Sequence, residues 1–93
     1  MTLDELFTTI CDRRDRPSTQ SYTARLIAAG EDEIVKKVGE EAVEVILAAK
    51  GQGDQRLVEE IADLTYHTLV LLAARHLSPG DIKVELEKRH RPV

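Results

Sequence analysis

Two short acidic runs carry the residues whose types and spacing could do chemistry. They are EEAVE at residues 40–44 and EEIAD at residues 59–63. Side chains three residues apart lie on one face of a helix, so each run presents a pair of carboxylates in one direction. The paired residues are Glu41, Glu44, Glu60 and Asp63. Carboxylates that converge in this way are typical of a cation site.

Both pairs border apolar surface instead of facing water on all sides. At about 100° per residue, Glu41 falls beside the apolar stripe that includes Ile34 and Val38. Glu60 and Asp63 lead directly into an uncharged stretch of the chain. Charged groups at a core boundary carry a desolvation cost of several kcal/mol unless something compensates it. We therefore expect both pairs to have a compensating partner.

That partner is predicted to be a divalent cation. The short GQGD turn at residues 51–54 would join two antiparallel helices and bring the pairs together, with too few cations nearby to neutralise them. An all-oxygen ligand set favours Mg²⁺, with Mn²⁺ as a substitute. Zinc is disfavoured, because the chain has no Cys pair and no His pair at ligand spacing. The alternative is that both pairs are solvated, since such spacings are common on exposed helix faces.

The elements that must position these residues are all predicted to be helices. Capping residues, apolar periodicity and Gly or Pro breaks place them near residues 2–14, 21–29, 31–50, 54–76 and 78–89. Thr2 and Glu5 form a capping box, Gly30 closes the second helix, and Asp54 is expected to cap the fourth. No segment alternates with period two, so no sheet is expected. The predicted fold is all-α, with four to five helices in one domain spanning residues 1–93.

The fourth predicted helix continues after Asp63 as LTYHTLVLLAA, eleven residues without a fixed charge. Its leucines and Val70 point in nearly every direction around the helix axis. A helix that is apolar all round must be buried all round, which a few short helices from one chain cannot easily achieve. We therefore expect a homodimer in which the central helices of two copies form a bundle.

Composition narrows the class of protein further. The chain has 93 residues, 42% of them hydrophobic, with three aromatics, no Trp and a formal net charge of −4. An acidic balance argues against general nucleic-acid binding. The lone Cys11 cannot form an intramolecular disulfide and suggests a reducing compartment. The acidic start MTLDELFTTI indicates neither a signal peptide nor a membrane span, so we expect a cytoplasmic protein.

The acidic runs also carry a family resemblance that covers almost the whole chain. KVGEEAVE at residues 37–44, followed by EIADLTYH at 60–67, resembles the MazG-like all-α NTP pyrophosphohydrolases. SYTARL at residues 21–26 and the DLTYH run narrow the resemblance to the phosphoribosyl-ATP pyrophosphohydrolase family. Thr65 stands where an aliphatic residue is more usual. The resemblance implies Mg²⁺-dependent cleavage of 1-(5-phosphoribosyl)-ATP to 1-(5-phosphoribosyl)-AMP and pyrophosphate in histidine biosynthesis, by a homodimer.

The resemblance suggests roles for the acidic residues in a metal-assisted hydrolysis. The metal ligands would be Glu41, Glu44, Glu60 and Asp63. Glu40 and Glu44 are predicted to act catalytically, with Glu40 orienting the attacking water or holding a second metal through water. The alternative for Glu40 is a solvated surface residue.

Six further residues are predicted to bind substrate, each with a plainer alternative. They are Arg13, Tyr22, Arg25, Lys37, His67 and Arg89. The arginines and Lys37 suit phosphate groups, although the arginines could be ordinary surface residues and Lys37 could pair with Glu41. Tyr22 could stack on a base or belong to the core. His67 could be a buried histidine hydrogen-bonded to a neighbouring carboxylate.

Two rival functions remain open from the sequence. One is a related nucleotidase acting on dNTPs, against which the SYTARL segment argues. The other is a helical dimerisation module whose acidic pairs are solvated. A module predicts no Mg²⁺-dependent change in thermal stability, whereas a metal site stabilises the fold that binds the metal.

Overall fold

The chain folds into five helices connected by short loops. In this computed structural model, which describes residues 1–90, the helices are α1 (Leu3–Asp15), α2 (Tyr22–Ala29), α3 (Glu31–Gly51), α4 (Asp54–Ala74) and α5 (Pro79–Lys88). The described residues contain no strand. The predicted all-α class is therefore confirmed.

Helix starts follow the capping residues read from the sequence. The Glu5 backbone N–H donates to Thr2 Oγ1 at 3.1 Å, and the Thr2 N–H donates to the Glu5 carboxylate at 3.3 Å. The Ala24 N–H donates to Ser21 Oγ at 3.1 Å, which fixes the start of α2. At the start of α5, the Ser78 N–H donates to the Asp81 carboxylate at 2.8 Å. Local hydrogen bonding thus sets three of the five helix starts.

The two long helices begin differently, because glycines turn the chain into them. Gly30 and Gly53 have φ values of 108° and 88°, a region that side chains with a Cβ rarely adopt. The prediction that Asp54 caps α4 is wrong, since Gly53 occupies that position and Asp54 is the first helical residue. The helix ends at Ala74, two residues before the predicted end, and His76 takes a φ of 57° as the chain turns away.

The core lies where α1 and α2 pack against the hairpin of α3 and α4. Its buried members are Ile10, Leu26, Ile34, Leu69, Val70 and Ala73. Half of these come from the uncharged part of α4, which is therefore the central element of the core. The expectation that one chain cannot enclose this stretch is wrong, because Thr68 is the only exposed residue among the described residues 64–74. Cys11 packs at the edge of this cluster as a free thiol, in the small apolar role that its position on the first helix suggests. Arg14 ties α1 to the end of α4 by donating from Nη1 to the Ala73 carbonyl at 2.7 Å.

One chain does not cover all of its apolar surface. Side chains on adjoining parts of α3 and α4 remain about half exposed: Val43 53%, Ile46 59%, Leu47 48%, Val58 62% and Ile61 45%. A further groove of about 470 Å³ runs between α4 and α5 and is lined mainly by leucines and Ile82. Among residues 1–90, no helix combines the length and the apolar character that a bilayer crossing requires.

Candidate metal centre

Three of the four predicted metal ligands meet between the two central helices. Glu41 projects from α3, and Glu60 and Asp63 project from the facing side of α4. One carboxylate oxygen from each of the three lies within 4.8 Å of the others. The short turn at residues 52–53 between α3 and α4 therefore brings the two acidic runs together, as the sequence predicts. We call these three residues the carboxylate cluster.

Glu44, the fourth predicted ligand, lies outside the carboxylate cluster. It sits one turn beyond Glu41 on α3 and is partly buried. Glu40 is exposed on the same helix, in keeping with the surface alternative for that residue. The structure thus separates the four predicted ligands into a group of three and a neighbour on the next turn of α3.

Two cations from the same helices contact the carboxylate cluster. Lys37 Nζ lies 3.9 Å from a Glu41 carboxylate oxygen, one turn earlier on α3. Arg56 forms an ion pair with Glu60 and a second one with Glu59 at 2.5 Å. The prediction that too few cations lie near the carboxylates is therefore only partly right. Within residues 1–90, Asp63 takes part in no ion pair, which leaves the cluster with an excess of negative charge.

Burial makes this charge excess costly. The side chains of Glu60 and Glu41 are only 7% and 13% exposed. Burial raises the pKa of Glu41 above its ordinary value, and the neighbouring carboxylates of Asp63 and Glu60 raise it further. His67 and Lys37 act in the opposite direction without cancelling the effect. Glu41 thus loses much of the solvation that would favour its ionised form.

A hydrogen-bonded pair links the carboxylate cluster to α2. His67 Nδ1 lies 2.8 Å from the Asp63 backbone carbonyl, and since a carbonyl oxygen only accepts, Nδ1 carries a proton. The Tyr22 hydroxyl lies 3.0 Å from His67 Nε2. The alternative that His67 bonds a neighbouring carboxylate is wrong, because its partners are a backbone carbonyl and a phenol. Tyr22 and His67 thereby attach the start of α2 to the turn of α4 that carries Asp63.

The predicted phosphate-binding arginines contact residues other than those of the carboxylate cluster. Arg13 donates to Asp12 at 2.8 Å and lines a polar cavity at the end of α1. Arg25 donates to the Thr19 carbonyl at 2.7 Å and lines a separate cleft. Arg89, just after α5, lies 3.4 Å from Glu85 and is largely exposed. The structure does not bring these three arginines together.

Two features were missed from the sequence. Arg56 precedes Glu60 by four residues, and this spacing predicts an ion pair on one helix face, so the signal was present. Arg16 lines the same polar cavity as Arg13. This cavity depends on the conformation of the loop between α1 and α2. No sequence pattern marks that cavity.

Five helices with a carboxylate cluster between the two central ones agree with the MazG-like all-α class that the sequence resembles.

Comparison with known proteins identifies the family within that class. Residues 3–90 match the family described as phosphoribosyl-ATP pyrophosphohydrolase. A phosphoribosyl-ATP pyrophosphatase of Clostridium botulinum is 48% identical over 98% of this chain and 83% of its own length. One of Pelotomaculum thermopropionicum is 52% identical over 94% of this chain and 89% of its own length. A histidine biosynthesis bifunctional protein of Nostoc is 43% identical over 97% of this chain, which spans 42% of that protein. The chain therefore belongs to the phosphoribosyl-ATP pyrophosphohydrolase family.

Proposed function

We propose that this chain hydrolyses 1-(5-phosphoribosyl)-ATP to 1-(5-phosphoribosyl)-AMP and pyrophosphate in histidine biosynthesis, with Mg²⁺ as its cofactor and Mn²⁺ as a substitute. The observation that carries the proposal is the carboxylate cluster, three side chains within 4.8 Å of one another, in a chain of this family. The relatives named for this activity align with nearly all of the chain. We take residues 1–93 as one catalytic domain.

The residues present fit a divalent cation. The donor set is entirely carboxylate oxygen, which suits Mg²⁺ and Mn²⁺ better than softer metals. The pKa of Glu41 is raised first by burial and then by the neighbouring carboxylates of Asp63 and Glu60, and a bound cation would favour the ionised form against both. When bound, Mg²⁺ would supply charge neutralisation for the triphosphate and for the leaving pyrophosphate.

The side chains of the chain have distinct roles in this proposal. Glu41, Glu60 and Asp63 would hold the cation, and Glu44, on the next turn of α3, would contribute a fourth carboxylate. Glu44 and Glu40 are the residues that accept a proton from, or orient, the attacking water. Lys37, which lies 3.9 Å from a Glu41 carboxylate oxygen, is assigned to a phosphate oxygen of the substrate. Tyr22 and His67 hold the start of α2 beside the cluster, where the nucleotide would lie.

We also propose that the working form is a homodimer. The support is the exposed apolar surface of α3 and α4, which includes Ile46 and Val58 at 59% and 62% exposure. Burying such residues contributes a gross gain of about 25 cal/mol per Å² of apolar area removed from water, which must exceed the entropic cost of association. Because this surface adjoins the turns that carry Glu44 and Glu60, the partner copy would border the site.

The test measures pyrophosphate release from phosphoribosyl-ATP, with dUTP and dCTP as competing substrates. We expect turnover that requires Mg²⁺ or Mn²⁺ and strongly prefers phosphoribosyl-ATP. Asp63→Ala and Glu44→Ala are expected to abolish turnover and to weaken the thermal stabilisation by Mg²⁺, while Lys50→Ala on the exposed end of α3 leaves both unchanged. Full activity in either acidic variant would contradict the proposed site. Preferential hydrolysis of the dNTPs would establish the rival nucleotidase instead.

A further inference from the structure

A polar cavity of about 320 Å³ lies where the end of α1 meets the start of α2. Its lining residues are all polar: Arg13, Arg16, Ser18, Gln20 and Ser21. This volume falls at the lower end of the range for small-molecule sites, about 300–1,000 Å³. The groove between α4 and α5, by contrast, is lined mainly by aliphatic side chains. The chemistry of the polar cavity is therefore suited to a small, polar ligand.

The cavity is positively charged in a chain that is acidic overall. The Asp12 carboxylate accepts from Arg13 Nη1 at 2.8 Å and from Arg16 Nε at 2.7 Å. Two guanidinium groups share one carboxylate, so positive charge is in excess. The side chains of Arg13 and Arg16 are 46% and 83% exposed, which leaves N–H groups of both accessible to a ligand. Guanidinium groups bind phosphate with paired hydrogen bonds, so a phosphate monoester is the ligand that fits this charge.

The loop that forms the cavity is ordered by its own hydrogen bonds. The Gln20 N–H donates to Ser18 Oγ at 3.1 Å, and the Ser21 N–H donates to the Ser18 carbonyl at 3.1 Å. Arg25 reaches back from α2 to the Thr19 carbonyl at 2.7 Å. These contacts hold the cavity walls in one arrangement before any ligand binds, which lowers the entropic cost of binding.

A short path of contacts joins the cavity to the carboxylate cluster. Ser21 lines the cavity and caps α2, and Tyr22 is the next residue. The Tyr22 hydroxyl contacts His67, which bonds the backbone of Asp63. Ser21, Tyr22 and His67 therefore connect the wall of the cavity to the backbone of Asp63 in the cluster.

We infer that this cavity binds the phosphate of the phosphoribosyl group while the triphosphate lies at the carboxylate cluster. The inference rests on the proposed function, because phosphoribosyl-ATP carries phosphate on two separate riboses attached to one adenine. The two phosphate-bearing ends of the substrate would thus bind to different groups: the triphosphate to the carboxylate cluster and its cation, and the monoester to guanidinium groups. Arg16, Ser18 and Gln20 become specificity-determining residues, since a nucleoside triphosphate without the second phosphate cannot use them.

The kinetic test uses Arg13→Gln and Arg16→Gln, with Arg75→Gln as the matched control. Arg75 is also an exposed arginine, but it pairs with Glu31 at 2.5 Å and does not line the cavity. Each cavity variant is expected to raise the KM for phosphoribosyl-ATP about tenfold, which corresponds to one lost charge-assisted hydrogen bond. The kcat and the thermal stabilisation by Mg²⁺ should stay near wild type. An unchanged KM in both cavity variants overturns the inference.

A direct binding test separates this inference from the proposed function. Ribose 5-phosphate is titrated into the full chain, and the backbone amide signals of Ser18, Gln20 and Ser21 are followed by NMR, with ribose as the probe that lacks phosphate. We expect saturable shifts with ribose 5-phosphate, little response to ribose, and loss of the response in Arg16→Gln. If wild type binds ribose 5-phosphate here but does not hydrolyse phosphoribosyl-ATP, the proposed function fails and the phosphate site stands. Equal responses to both probes, or shifts elsewhere only, refute the site.

Discussion

Replacing Arg56 with Gln tests whether the charge excess of the carboxylate cluster governs both stability and metal binding. Arg56 is 47% exposed and pairs with Glu60, which is only 7% exposed. Breaking a buried ion pair costs about 3–5 kcal/mol, and breaking an exposed one about 0–1 kcal/mol. A pair with one buried and one half-exposed partner falls between these limits. We expect a loss of about 2 kcal/mol in the metal-free protein.

The same substitution should strengthen metal binding. In wild type the Arg56 guanidinium forms an ion pair with Glu60 and adds a positive charge beside the cluster. A divalent cation that binds there must therefore compete with Arg56. Without Arg56 the cluster is more negative, and the Kd for Mg²⁺ should fall by about tenfold, the equivalent of about 1.4 kcal/mol. The variant is therefore expected to be less stable than wild type without metal and to regain most of that loss when Mg²⁺ is saturating.

Thermal denaturation with and without Mg²⁺ measures both effects. A loss of about 2 kcal/mol corresponds to a Tm about 8–16 °C lower for a domain of this size. Glu59→Gln is the matched control, because it removes the exposed partner of Arg56, 44% exposed, and leaves the pair with Glu60 in place. The control should shift Tm by the equivalent of less than about 1 kcal/mol. Weaker Mg²⁺ binding in Arg56→Gln, or an unchanged Tm without metal, would refute this account of the cluster.

Three further predictions concern pH, the link to α2 and assembly. The pKa of Glu41 in the folded protein is raised above its ordinary value of 4.5. The protonated Glu41 carboxyl therefore stabilises the fold below pH 4.5, and this contribution is lost as pH rises through the folded-state pKa. Without metal, the Tm of Glu41→Gln should therefore exceed that of wild type, and the difference should grow as pH rises from about 4 to about 8. A difference that shrinks over this range would contradict the raised pKa of Glu41. Tyr22→Phe removes the hydroxyl partner of buried His67 and should cost about 1–2 kcal/mol in denaturant unfolding, whereas an unchanged midpoint would show that the bond contributes nothing. Ile46→Glu places a charge on the exposed apolar surface that the proposed homodimer would bury. Wild type should sediment as a dimer and the variant as a monomer in analytical ultracentrifugation; a dimeric variant would locate the interface elsewhere, and a monomeric wild type would contradict the proposed dimer.

The helices and the meeting of the acidic runs could be predicted because they depend on short-range patterns. Capping residues such as Thr2 and Ser21 act on helix N–H groups within three positions, so sequence alone reveals them. Spacing also places Glu60 and Asp63 on one face, and the glycine-containing turn returns the chain to α3. These relations require no knowledge of how the helices are rotated about their axes.

The position of Glu44 outside the carboxylate cluster could not be predicted, because it depends on tertiary geometry. Glu41 and Glu44 share a face of α3, but the rotation and tilt of α3 against α4 decide which of them reaches the facing carboxylates. The cavity at Arg13 and Arg16 likewise depends on the conformation of a loop. Arg56 is a different case, since its four-residue spacing to Glu60 is a local pattern that predicts the observed pair.

The arrangement of charge explains how the carboxylate cluster can fold without a metal and what the proposed cation would add. Glu41 and Glu60 each have a cation one turn earlier on their own helix, Lys37 and Arg56, and these pairs form as soon as the helices form. Two cations face three carboxylates, and Arg56 also pairs with Glu59, so the metal-free cluster is only partly compensated. A bound metal ion would displace Lys37 or Arg56 from its carboxylate. The displaced side chain could then bind a phosphate oxygen of the triphosphate at the edge of the site. If that exchange occurs, Lys37→Gln should raise the KM for phosphoribosyl-ATP while tightening Mg²⁺ binding, and a variant that weakens both would show that Lys37 only holds Glu41 in place.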